Sequence, residues 1–231
     1  MANEQDNRFI PVHADPFIHP LPNFAKALAG SEVIKIVAIG SSSTAGEGNI
    51  VPYPARLETS LRAKYRDRVI VLNRGVIGEE APQELARMTV DVIGQKPALA
   101  IWQVGTNAIW QLKQDVDAAA VAIRDGLTLL AGQPMDVVLM DPQYSPALLT
   151  DDKIDDTRRM LSMIAQAAQA ARVNVFRRFE MMRKWHEIEK FSFDTIMDPA
   201  DYRRLHQSDY SAQRIGWELC ETIANAAAHT A

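Results

Sequence analysis

Five short apolar, β-branched stretches recur along the chain, at residues 33–39, 69–72, 98–104, 135–140 and 173–176. Stretches this short, flanked by turn-forming residues, predict strands buried on both faces. The first reads Val-Ile-Lys-Ile-Val-Ala-Ile and lies between Gly30 and Gly40. Between the strands, apolar residues return every three or four positions. Leu57 and Leu61 do so in 54–64, and Val116, Ala120, Ile123, Leu127 and Leu130 form one stripe in 116–130. Residues 82–93, 154–171 and 208–228 also read as helices. Strands alternating with helices predict an α/β fold, with a parallel sheet covered on both faces. Right-handed crossovers leave few topologies for it.

Two regions break this rhythm. Residues 1–30 carry Pro11, Pro16, Pro20 and Pro22 without a clear period. They predict an irregular arm packed on the body, ending in a short helix at 23–28. Residues 31–231 then form a single domain. Between the fifth strand and the last helix, residues 177–205 are rich in charge and in Phe, Met and Trp. Residues 177–191 predict an amphipathic helix with Met181, Trp185 and Ile188 on one face, and 177–200 is a candidate cap segment.

Composition narrows the class. A chain of 231 residues with 47% hydrophobic and 23% charged positions is ordinary for a globular domain. A formal net charge of −4 offers no bulk positive field for a nucleic acid. The single cysteine, Cys220, excludes an internal disulfide and a multi-cysteine metal site. It reads as a small buried hydrophobe in the last helix. No apolar run approaches the ~18–20 residues of a membrane helix. Residues 1–7 are polar and acidic, so the chain as given shows no signal peptide. The compartment stays open: cytoplasm, or periplasm or outside if a leader was removed. His186-Glu187 lacks the spaced second histidine of a zinc helix, and Gly46-x-Gly48 lacks the third glycine of a nucleotide loop. Neither a metal nor a cofactor is called for.

The chemistry is concentrated after the strands, where open parallel sheets place their sites. Gly40-Ser41-Ser42-Ser43-Thr44 follows the first, Asn73-Arg74-Gly75-Val76-Ile77-Gly78 the second and Gly105-Thr106-Asn107 the third. Asp141-Pro142-Gln143-Tyr144 follows the fourth, and His206 precedes the last helix. Taken alone, each is an ordinary turn or helix start, with Ser43, Thr44, Thr106 or Asn107 available as caps. Together they supply a hydroxyl nucleophile, backbone N–H donors, an amide and a base, the parts of an acyl-transfer site. Asp209 reads as a first-turn residue of the last helix.

On these residues the chain resembles the SGNH (GDSL-type) hydrolases, whose name comes from Ser, Gly, Asn and His in four blocks. The resemblance runs from about residue 33 to the last helix. It implies a flavodoxin-like three-layer α/β/α sandwich with a five-stranded parallel sheet, and a serine esterase activity. Ser42 matches the nucleophile and His206 the base. The resemblance implies an oxyanion hole of the Ser42 N–H, the Gly75 N–H and the Asn107 amide. There are three departures: Ser41 stands in place of an Asp, Ala108 stands where many members have a bracing Asp, and Arg203 occupies the position three before His206 where the family has Asp. Asp201, Asp198 or a backbone carbonyl could orient His206 instead, with Asp201 favoured. No Gly-x-Ser-x-Gly surrounds Ser42, which argues against a nucleophile elbow.

Gln143, Tyr144 and Trp110 are candidate substrate-binding residues near the strand ends. Their flat, polar character suits a carbohydrate or another small ester carrying an acetyl or other short acyl group. The rivals are an acyltransferase on the same site and a non-catalytic carbohydrate-binding protein of the same fold.

Overall fold

The computed structural model describes residues 11–111 and 115–229. The signal-peptide reading of residues 1–7 and the first third of the arm lie outside the described residues. The chain order is α1 (Pro22–Ala29), β1 (Ile34–Gly40), α2 (Ser42–Ala45), α3 (Tyr53–Tyr65), β2 (Val69–Gly75), α4 (Ala81–Asp91) and β3 (Leu99–Gln103). It continues with α5 (Thr106–Trp110), α6 (Val116–Ala131), β4 (Asp136–Met140), α7 (Ile154–Ala171) and β5 (Asn174–Phe176). The last elements are α8 (Arg178–Glu187), α9 (Phe193–Ile196) and α10 (Asp209–Ala228).

The five strands form one all-parallel sheet in the order β2-β1-β3-β4-β5. Alternation along β1 divides the core. Ile34, Ile36 and Ala38 pack with Phe24, Leu57, Leu61, Trp185, Ile215 and Leu219. Val37 and Ile39 face the other way, into Met88, Trp102, Ile123, Leu127, Met160 and Ile164. So α1, α3, α8 and α10 cover one face, and α4, α6 and α7 cover the other. This is the three-layer sandwich.

Hydrogen bonds tie the described part of the arm to β4 and β5, among other contacts. The buried Asp136 carboxylate, at the start of β4, accepts the N–H groups of Asn23 (3.2 Å) and Phe24 (2.8 Å), bonding free donors in the first turn of α1. Asn174 exchanges two hydrogen bonds with the backbone of His19, both at 2.9 Å. The 177–200 stretch is partly built into the body. Met181, Met182 and Trp185 of α8 are fully or almost fully buried. Ile188, expected on that face, is exposed instead, because α8 ends at Glu187.

The strand order reverses between β1 and β3, since the chain moves outward from β1 to β2 and then returns to β1's other side. That switch point opens a crevice beyond the strand ends. The segments after β1 and β3 flank it directly.

Candidate active site

Ser42 is the first residue of α2, immediately beyond β1. The turn that carries it is clamped from β3. Gln103 Oε1 accepts from the Ser41 N–H (3.1 Å), the Ser41 hydroxyl (3.1 Å) and the Thr44 hydroxyl (3.3 Å). Ser43 and Thr44 lie within α2, and no side chain caps this helix. Their hydroxyls reach across to Gln143 and Gln103.

Ser42 Oγ lies 3.0 Å from His206 Nε2. The opposite ring nitrogen, Nδ1, lies 2.7 Å from Asp201 Oδ2. A carboxylate at that distance fixes the proton on Nδ1 and leaves Nε2 as acceptor for the serine hydroxyl. Asp201 is itself well held. Its Oδ2 accepts the N–H groups of Leu205 (3.0 Å) and His206 (2.9 Å). Its Oδ1 accepts the Arg203 N–H (3.1 Å) and Nε (3.0 Å). Burial alone would raise its pKa. Hydrogen bonds from the His206 N–H, the Arg203 side chain and the His206 ring outweigh burial and hold it well below the usual carboxylate range. Asp198 is turned elsewhere: its Oδ1 accepts the Ala200 N–H at 2.9 Å.

Arg203 therefore braces Asp201. Its guanidinium also bonds Glu47, which follows α2 between Gly46 and Gly48. Glu47 Oε2 lies 2.9 Å from His206 Nε2, the nitrogen that also faces Ser42. A carboxylate opposite Nε2 is repelled by the lone pair of neutral imidazole and attracted by the N–H of imidazolium. The ring is thus set between two carboxylates, one at each nitrogen. Glu47 escaped the sequence reading because nothing in a Gly-Glu-Gly loop foretells that it folds back onto a histidine 159 positions away.

The expected oxyanion donors are placed unequally. Gly75 donates its N–H to Asn73 Oδ1 at 2.9 Å, and so is already engaged. A Cβ there would lie 2.1 Å from the Ala45 nitrogen, so glycine is required for β2 to pass close behind α2. Ser42 and Gly78 donate their N–H groups to no acceptor among the described residues. Gly78 has φ +84°, which turns the loop that leads into Glu79 and Glu80. The Asn107 amide donates one N–H to the Glu79 carbonyl at 2.7 Å and retains a second. Gly78 closes the same segment after β2, but in the sequence the nearer Gly75 takes the donor's place in the pattern.

None of the three candidate substrate residues lines the cavity beside His206. Gln143 is fully buried. Its Oε1 accepts from Arg178 (2.8 Å), Thr106 (3.1 Å) and Ser43 (3.4 Å), and its amide donates to the Leu205 carbonyl (2.8 Å). It links the nucleophile, Asn107 and His206 segments from beneath. Tyr144 packs against Phe179 and Phe193. Lys153 covers the Trp110 ring at 5.7 Å. A cavity of about 240 Å³ beside His206 is lined instead by Glu47, Gly48, Asp198, Ala200, Tyr202 and Arg203, together with Asp201.

A model of the Non-GDSL lipase-like family matches residues 10–229. The chain belongs to that family. No curated protein matches the sequence. Among solved structures, the acetylxylan esterase Axe2 from Geobacillus stearothermophilus superposes with a TM-score of 0.70 at 19% identity, over 84% of this chain and 95% of that one. A catalytic mutant of the same enzyme gives 0.71 at 18%, with the same coverage. LAE5, described as an alpha/beta hydrolase enzyme from the metagenome of Lake Arreo, Spain, gives 0.67 at 16%, over 88% of this chain and 99% of that one. At these identities the likeness is one of fold. Among the described residues no helix is long and apolar enough to cross a membrane.

Proposed function

We propose that the chain is a serine esterase that removes acetyl or other short acyl groups from a carbohydrate through an acyl-enzyme. The observation that carries this reading is the continuous relay from Ser42 Oγ through His206 to Asp201. A serine hydroxyl needs a base within hydrogen-bond reach, and a base needs an orienting partner. Both distances satisfy that requirement.

In the first half-reaction Ser42 Oγ attacks the ester carbonyl and passes its proton to His206 Nε2. Asp201 stabilises the imidazolium. The oxyanion of the tetrahedral intermediate faces the Ser42 N–H, the Gly78 N–H and the second N–H of Asn107. Gly78 replaces Gly75 in this role because the Gly75 N–H is bound to Asn73. Collapse breaks the ester C–O bond, and the leaving alcohol takes the proton from Nε2. Water then gives its proton to His206 and attacks the acyl-enzyme, releasing the acid and regenerating Ser42.

Three features support a small acyl group on a sugar. The cavity of about 240 Å³ beside His206 is lined mainly by carboxylates and Arg203 rather than by apolar side chains, which suits a polar sugar better than a long acyl chain. Tyr202 is 90% exposed at its edge, a platform for a flat ring. Glu47 and Asp198 add carboxylate acceptors for hydroxyl groups. The fold likeness to an acetylxylan esterase points the same way.

The test is incubation with a fluorophosphonate followed by peptide mass spectrometry, alongside turnover of 4-nitrophenyl acetate and of acetylated xylo-oligosaccharides. A single adduct on Ser42, with turnover abolished in Ser42→Ala, is expected. Folded wild-type protein that takes no adduct and releases no acetate would overturn the reading. Turnover of the aryl ester alone would retain the esterase and remove the carbohydrate.

A further inference from the structure

Glu80 is a buried carboxylate outside the Ser42–His206–Asp201 relay. It is 1% exposed and precedes α4, where it caps the helix. Capping explains only part of its bonding. Oε1 accepts from the Ala81 N–H, at the start of α4, and equally from the Gly105 N–H, both at 2.9 Å. Oε2 accepts the Ala108 N–H, also at 2.9 Å. Gly105 and Ala108 lie on either side of Asn107 in sequence. The carboxylate thus holds the turn that presents Asn107 at both ends, across a separation of 25–28 residues.

The preceding residue acts on the same target. The Glu79 carbonyl accepts from the Asn107 side-chain amide at 2.7 Å. Consecutive residues therefore grip Asn107 by its side chain and by its flanking backbone. Gly78, the other proposed donor from this loop, is two residues from Glu80. No uncharged side chain could do the same work. Only an ionised carboxylate offers acceptor positions alone, with none of its atoms donating. A glutamine would turn an NH₂ group toward one of these backbone donors.

We infer that Glu80 is a positioning residue for the oxyanion hole, fixing the Asn107 amide relative to the Gly78–Glu80 loop. The inference rests on the esterase reading above. Glu80 touches no reacting atom; it acts through Asn107. Its loss is felt in the transition state, where charge develops on the carbonyl oxygen, more than in substrate binding.

A double-mutant cycle tests this with Glu80→Gln, Asn107→Ala and the double variant, using 4-nitrophenyl acetate. Glu80→Gln is expected to lower kcat about 10-fold or more with KM changed less than about 2-fold, and to add less than about 3-fold to the loss in Asn107→Ala, because residues acting through one another are not additive. Hydrogen exchange is measured on the same proteins. Faster exchange in Glu80→Gln is expected at residues 105–109. If Glu80→Gln does not fold, Glu80→Asp enters the same cycle, with the carboxylate kept and the reach shortened. An active wild type in which the two losses multiply, or in which Glu80→Gln lowers the melting temperature and leaves kcat unchanged, overturns this inference and leaves the esterase intact. A wild type without turnover overturns both.

Discussion

Asp201 shows how far a single side chain can be specified by its neighbours. Five N–H groups converge on its two oxygens: three from the backbone, one from the Arg203 guanidinium and one from the His206 imidazole. The Arg203 that interrupts the family spacing is one of those neighbours. An arginine cannot orient an imidazole, but it can brace the carboxylate that does. Asp201→Ala is accordingly expected to lower kcat at least ~100-fold, by analogy with other triads, with Ser42 still present and the protein folded. Steady-state kinetics on a short acyl ester checks this; activity equal to wild type would remove Asp201 from the relay. The sequence allowed Asp201, Asp198 and a backbone carbonyl. What separated them was the path of residues 198–206, where the Arg204 backbone at φ +53° helps the loop curl so that Asp201 meets the ring.

Short helices and turns decide the site at the scale of elements. The long elements were legible: the 154–171 period coincides with α7, and each of the five strands falls within a few residues of its apolar stretch. The short helices α2, α5 and α9 were not, since four or five residues carry no period to read. Yet α2 and α5 hold Ser42 and Asn107. Their placement depends on close approaches between elements. Gly75→Ala would drive a Cβ into the backbone of α2, 2.1 Å from the Ala45 nitrogen. We expect it to cost about 3 kcal/mol of stability or more, seen as a lower urea midpoint with an unchanged slope. A stability within a few tenths of wild type would show that α2 can move aside. Gln143 belongs to this scale as well. A polar residue after a strand on the functional edge reads as pocket wall, but this one is a buried bracket, because three donors from three segments converge on its oxygen.

Acid response belongs to the whole molecule. Asp201 titrates near pH 4 in an unfolded chain and well below that in the folded protein. A depressed folded-state pKa contributes stability that is present above the unfolded value and lost as pH falls from about 4 toward the folded one. Asp201→Asn has no such proton to gain. The stability difference between wild type and Asp201→Asn should therefore be greatest above about pH 5 and shrink as the solution is acidified below about pH 4. Urea unfolding across pH 2.5–7 measures it. A difference independent of pH over that range would show that Asp201 is not held ionised by its partners.

The sequence by itself determined the layers. Apolar alternation in strands and three-to-four spacing in helices each specify which face is buried, and these are local properties of consecutive residues. It also determined which strand ends carry Ser42 and Asn107, and that His206 precedes the last helix, because side-chain chemistry is read directly. Only the tertiary structure decided which carboxylate meets His206, that Glu47 sits against Nε2, that the Gly75 N–H is engaged while that of Gly78 is not, and that Glu80 anchors the Asn107 turn. Each of those is a hydrogen bond or close approach set by where loops of different strands meet. Its geometry depends on the relative placement of segments far apart in the chain, and no periodicity within one segment encodes that placement.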